Sequence, residues 1–162
     1  MIAACSSDRS QMPPACPTAV LLEGAENIST HVPASGRRPE DLQLVAALSG
    51  LVSACQVAGP DVDVALAFNV LGERGPAYGT PPVRLTYFIA TVGPDRRIVD
   101  KQLFDIELAI PPDQVTAGLR ETLTLRLPGM GQAEAARHRI YVGFQLDEAA
   151  RRERLEPRSG PL

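Results

Sequence analysis

Tryptophan is absent from this chain of 162 residues, and phenylalanine and tyrosine together make up only 4% of it. Hydrophobic residues still reach 44%, so a core must be filled mainly by Val, Leu, Ile and Ala. Scarce aromatics also weaken any reading that needs sugar-stacking platforms. There are only two histidines, His31 and His138, far apart in sequence and without an H-E-x-x-H arrangement, so a zinc enzyme has little support and no metal ligands are assigned. No C-x-x-C occurs among the three cysteines, which removes zinc-ribbon and thioredoxin-like readings. Basic excess is missing too. Sixteen Lys and Arg against 19 Asp and Glu leave a net charge of −3, so no nucleic-acid partner is expected. No apolar run approaches the roughly 18 residues that span a bilayer as a helix. The G-x-S-x-G elbow of many hydrolases is absent. Gly129-Met130-Gly131 lacks the further glycine and lysine of the phosphate-cradling fingerprints and reads as a flexible turn after Pro128. No cofactor is expected.

What the chain does contain is punctuation. Fifteen prolines and 13 glycines interrupt it often, a spacing that suits many short strands better than long helices. Thr18 to Leu22 reads as a short first strand, and Ile28 to Pro39 mostly as a loop. Pro39-Glu40-Asp41 resembles a helix start, yet Ser49 and Gly50 break that pattern, and Val52, Cys55 and Val57 favour one long strand bulged at Gly50. Val62, Val64, Leu66, Phe68 and Val70 alternate with Asp63, Ala65, Ala67 and Asn69, the period of a half-buried strand. Val83–Val92 is β-branched and aromatic on both faces, as a central strand would be. After a turn at Gly93-Pro94-Asp95 the chain returns with Phe104, Ile106, Leu108 and Ile110 facing inward. Asp95, Asp100, Asp105 and Glu107 are spaced along that hairpin and do not converge in one loop as a calcium site requires; Asp105 and Glu107 mark the solvent face of the returning strand. Leu123, Leu125 and Leu127, then Ile140, Val142, Phe144 and Leu146, continue the alternation.

About seven strands with turns between them predict an all-β fold, an antiparallel β-sandwich of immunoglobulin or fibronectin-III type, with a closed barrel as the competitor. The sandwich is placed at residues 16–146. Residues 1–15 form a polar, proline-containing tether, and 147–162 a short helix starting at Asp147 and a disordered tail. The arginines at 151, 152, 154 and 158 are nearly balanced by glutamates and read as a solvated helical face.

Ile2-Ala3-Ala4-Cys5 resembles the lipobox of bacterial lipoproteins: an aliphatic residue, two small residues that give a signal peptidase access, then the cysteine that takes a diacylglycerol. The resemblance covers these four residues. It implies lipid on Cys5, a signal peptide upstream of Met1, and a periplasmic location. Ser6 after the cysteine implies release to the outer membrane. Cys16 and Cys55 then remain as an even pair, and an oxidising compartment would join them.

The connection Gly72–Pro82 is longer than a hairpin requires, and it carries Arg74 and Tyr78 as candidates for contact with a partner. His31 and His138 read as solvated side chains. Together these features predict a non-enzymatic, membrane-anchored periplasmic lipoprotein acting as a protein-interaction or envelope-assembly module, with an unidentified envelope protein as partner. Two rivals remain. A soluble small-ligand-binding β domain would need a cavity lined by residues such as Phe68, Tyr87, Phe104 and Phe144. A hydrolase would need His31 or His138 brought beside a Ser or Cys.

Overall fold

Period-two alternation builds the centre of the fold. In a computed structural model that describes residues 15–79 and 82–146, the apolar set from Val62 to Val70 lies on one face of a strand, Asp61–Arg74, and is buried along its length. In chain order the strands are β1 (Thr18–Leu21), β2 (Asn27–His31), β3 (Leu42–Ala58), β4 (Asp61–Arg74), β5 (Val83–Val92), β6 (Ile98–Leu108), β7 (Thr116–Leu127) and β8 (Arg139–Phe144). One helical turn, α1 (Gln132–Ala135), precedes β8, and a single 3-10 turn at Pro39–Asp41 precedes β3.

Two four-stranded sheets pack face to face as a β-sandwich, one ordered β1-β8-β5-β6 and the other β2-β3-β4-β7. Every pairing is antiparallel except β1 with β8, which is parallel. The architecture is that of the immunoglobulin-type sandwiches; the strand order, with a three-strand meander β2-β3-β4, is the chain's own.

The described residues hold eight strands, one more than the pattern predicts. The additional one is β2, in the stretch expected to be mostly loop. Ile28 is its only aliphatic residue, too little to signal a strand. It forms because the Leu42–Ala47 part of β3 presents a partner edge. Likewise β7 begins at Thr116, well ahead of Leu123, because β4 templates the polar half as well. β3 is one continuous 17-residue strand, with the register shift to β4 lying between Ser49 and Val52. Gly50 sits inside that bulge at φ +62°, a conformation glycine adopts at little steric cost.

The interior is filled from both sheets by aliphatic side chains and by the few aromatics available. Phe68 meets Tyr87 edge to face at 5.2 Å, and Phe104 stacks on the other side of Tyr87 at 5.2 Å. Phe68, Tyr87 and Phe144 are fully buried in this cluster. Of the aromatics considered as linings of an internal cavity, Phe68 and Tyr87 pack the core with Phe104 against them, and Phe144 is buried in the core while also bordering a surface groove. The Tyr87 hydroxyl donates to Glu121 Oε2 at 3.1 Å, and burial followed by this carboxylate raises its pKa above the usual tyrosine value.

Cys16 and Cys55 form a disulfide, as their pairing predicts, with Cα atoms 5.7 Å apart. It ties the segment before β1, an edge strand of the first sheet, to β3 of the second. On the outer face of the second sheet, Arg126 grips Asp63 with two hydrogen bonds of 2.8 and 3.1 Å across β7 and β4. Cys5, the proposed tether before residue 15, and the helix expected after Leu146 lie outside the described residues.

Two outcomes follow from these links. Closing a loop across 39 positions removes chain entropy from the unfolded state, so reduction or a Cys16→Ala/Cys55→Ala pair should lower the unfolding free energy by about 2–4 kcal/mol in urea titrations. The Arg126 hydrogen bonds hold the Asp63 carboxyl below its ordinary pKa. A folded-state pKa below the unfolded one gives stabilisation that is present at neutral pH and is lost as the pH falls below about 4. Asp63→Asn should flatten that part of the acid limb of stability measured against pH.

Candidate functional site

β5 is apolar on both faces. Leu85, Tyr87 and Ile89 point into the sandwich, whereas Phe88 and Ala90 point away from it, yet are also buried. Their cover comes from the link between β1 and β2. Ala25 lies against Phe88, held there because its carbonyl accepts from Phe144 N at 2.7 Å while its own N–H donates to Leu22 O at 2.9 Å. Gly143 on β8 permits this close approach. A Cβ there would stand 2.8 Å from the Ala25 methyl and 3.0 Å from the Phe88 ring. Tyr141 packs at the margin of the same cluster.

The cover stops short. Beyond it, the outer face of the first sheet forms a groove of about 1150 Å³ with an apolar floor that includes Phe88, Ala90, Val92 and Tyr141. Arg96, Lys101, Arg137 and Arg139 surround it, and among the described residues no Asp or Glu lines it. None of the four cations is ion-paired among the described residues. The nearby carboxylates are engaged elsewhere: Asp95 pairs with Arg97 at 3.7 Å, and Asp105 accepts from Thr86 Oγ1 at 2.6 Å. In a chain of net charge −3, this is a pronounced local reversal of sign.

Three local features place those cations. The first is a bulge in β6. Thr91 pairs with Asp100 but Val92 pairs with Ile98, so Val99 is an extra residue. Residues three apart on a regular strand face opposite sides; the bulge brings both Ile98 and Lys101 onto the groove side. Val99 is sent to a smaller cleft of about 660 Å³ beside Glu134 and His138. Ile98 remains 61% exposed. Lys101 Nζ sits 4.7 Å above the Phe88 ring and donates to Gln145 Oε1 at 2.9 Å, so the ammonium is held over the floor.

The second is the β5–β6 turn. Gly93 N donates to Arg97 O at 2.8 Å and Arg96 N to Gly93 O at 3.0 Å. Arg96 occupies the left-handed region at φ 64°, the one non-glycine residue to do so among the described residues. Glycine or asparagine would fit this position more cheaply. The third is His138. It is buried, 5% exposed, rather than solvated as the sequence indicates, and its Nδ1 donates to Glu134 O at 2.9 Å. The α1 turn ahead of β8 creates the pocket that covers it, a feature with no signal in "ARHRIY". Pinned in this way, His138 separates Arg137 from Arg139, and both reach the groove.

The residues singled out from sequence lie elsewhere. Arg74 Nη2 donates to Ile110 O at 3.0 Å and Pro111 O at 2.8 Å, and its guanidinium lies 4.9 Å from the Tyr78 ring centre. The Tyr78 hydroxyl in turn accepts from Ile110 N at 2.8 Å. Both side chains latch the β4–β5 connection onto the segment after β6, away from the groove. His31 is on β2, in the sheet opposite His138. No cluster of three His, Cys, Asp or Glu able to hold a metal ion forms among the described residues, and none of their helices is long and apolar enough to cross a membrane. The groove itself had one legible signal, the two-sided hydrophobicity of β5. The convergence of Arg96, Lys101, Arg137 and Arg139 depends on a bulge and two turns and had none.

No protein-family model matches this chain, and no curated protein matches it.

Because Arg96 holds a strained backbone position at the groove rim, Arg96→Asn should leave the fold intact and raise the unfolding free energy by about 0.5 kcal/mol in chemical denaturation. A loss of stability instead would mean that the arginine side chain contributes packing that outweighs the backbone strain.

Proposed function

We propose that this chain is a non-enzymatic lipoprotein of the bacterial cell envelope that works by recognition, with the groove on the outer face of the β1-β8-β5-β6 sheet as its binding surface. The observation that carries the recognition half is the groove itself, a largely buried aromatic and aliphatic floor ringed by four cations that have no ion-pair partner among the described residues. Such a site supplies affinity through apolar contact and orientation through charge. The Cys16–Cys55 disulfide supports the placement outside the cytoplasm, where such bonds persist.

In this reading the Ile2-Ala3-Ala4-Cys5 stretch directs lipid onto Cys5, Ser6 directs the protein to the outer membrane, and the sandwich faces the periplasm. A lipid anchor confines the domain to a thin layer and raises its effective concentration near envelope partners.

The anchor is tested by growing the source cells with an alkyne-bearing fatty acid and the gene at its native locus. The wild-type chain should label and sediment with outer membranes. Cys5→Ala should lose the label and the sedimentation together. Equal labelling of the variant, or an unlabelled soluble wild type with free thiols at Cys16 and Cys55, would remove the envelope assignment.

A further inference from the structure

We propose that the groove binds an anionic amphiphile, an acyl or similarly slender apolar body carrying a carboxylate or phosphate head, so that the envelope component recognised is an anionic lipid. The inference rests on the reading of the groove as the binding surface and names its ligand. Sign and shape both point the same way. The lining joins Phe88, Ala90, Val92 and Tyr141 to Arg96, Lys101, Arg137 and Arg139, with no carboxylate among the described lining residues. Neutral or cationic apolar ligands would leave four unpaired cations beside them. A purely ionic ligand would leave the exposed Ile98 and the half-buried Val92 and Tyr141 without an apolar partner. Only a molecule carrying both an apolar body and a negative head satisfies the two halves of the site together.

A flat membrane surface fits less well, because the floor is recessed beneath the Leu22–Glu26 cover and the same outer face of β6 carries Asp105 and Glu107. A partner strand adding to the β6 edge also fits less well. The Val99 bulge and the charges along β6 are the devices by which edge strands resist such pairing. The same bulge instead aims Ile98 and Lys101 at the groove.

The test uses the full oxidised chain and 12-carbon probes that share a tail and differ in the head. Dodecanoate should displace a groove-bound fluorescent anilinonaphthalene sulfonate far better than dodecyl maltoside, dodecyltrimethylammonium or hexaglutamate. The pair Arg137→Glu/Arg139→Glu, both solvent-exposed, should weaken dodecanoate by at least about tenfold. Ile98→Asp, also exposed, should weaken it as well. Equal displacement by the neutral or cationic probe, equal displacement by hexaglutamate, or insensitivity to both variants would overturn the ligand class. A photo-crosslinking benzoylphenylalanine at position 98, activated in intact envelopes, separates this failure from that of the recognition reading. A lipid-mass adduct on the chain, absent when the crosslinker replaces Val52 on the other sheet, supports the proposal. A protein adduct at position 98 overturns the lipid but keeps the groove as the binding surface. No adduct at position 98 overturns both.

Discussion

The structure turns on a strand that must be buried on two sides in an architecture that covers only one. Each sheet of a two-layer sandwich has an inner face against the other sheet and an outer face toward water. β5 fills its inner face with Leu85, Tyr87 and Ile89 and its outer face with Phe88 and Ala90. Fully burying a side chain the size of Phe88 is worth about 1.5–3 kcal/mol relative to exposure, so an uncovered outer face would forgo a useful part of a domain's net stability. The Leu22–Glu26 segment supplies part of the cover. It reaches the sheet because β1 pairs in parallel with β8, which leaves the chain on the outer side of that strand, and because residue 143 has no side chain. Where that cover ends, the groove begins.

The irregularities of the fold gather at the same place. The β6 bulge, the left-handed Arg96 and the buried His138 all adjoin the groove. Elsewhere a bulge is relieved by a residue suited to it, as Gly50 is in β3. At Arg96 the turn holds a residue that does not suit the backbone, and its side chain stands at a rim that three other cations share. Strain retained at one position, in company with a re-aimed strand and an apolar floor, marks a surface shaped for something besides stability.

Most of the framework was legible because it rests on alternation. Val62 to Val70, Phe104 to Ile110 and Ile140 to Phe144 each display the period-two pattern with enough aliphatic bulk to signal a strand, Val83 to Val92 signals one by β-branched and aromatic residues on both faces, and the bulge at Gly50 was marked by its glycine. β2 and the first half of β7 were not legible, because their residues are ordered by a neighbouring edge rather than by their own preference. The site was harder still. Its four cations come from positions 96, 101, 137 and 139, and charges this far apart read as separate solvated residues until two turns and a bulge bring them together. His138 illustrates the same limit. Its burial is created by α1, whose four residues carry no pattern a sequence can show. Arg74 and Tyr78 drew notice as a loop pair, yet their polar atoms meet Ile110 and Pro111, an arrangement that only the return of the chain after β6 could reveal.

The charge distribution also bears on how a groove this open can discriminate. Exposed charges act over roughly 8 Å at physiological salt, so the side chains that line the groove weigh most in what a bound ligand meets. The charged side chains among the described lining residues are all basic, and the four groove cations have no carboxylate partner among the described residues. Lys101 is further constrained by Gln145 and the Phe88 face, so its charge stays over the floor instead of swinging into solvent. A ligand's tail and head would thus be read by one surface, with Phe88 contributing to both, as floor for the tail and as platform for the ammonium that meets the head. That coupling is why the same aromatic ring whose burial the fold requires is the residue on which selectivity for sign and for apolar length would converge.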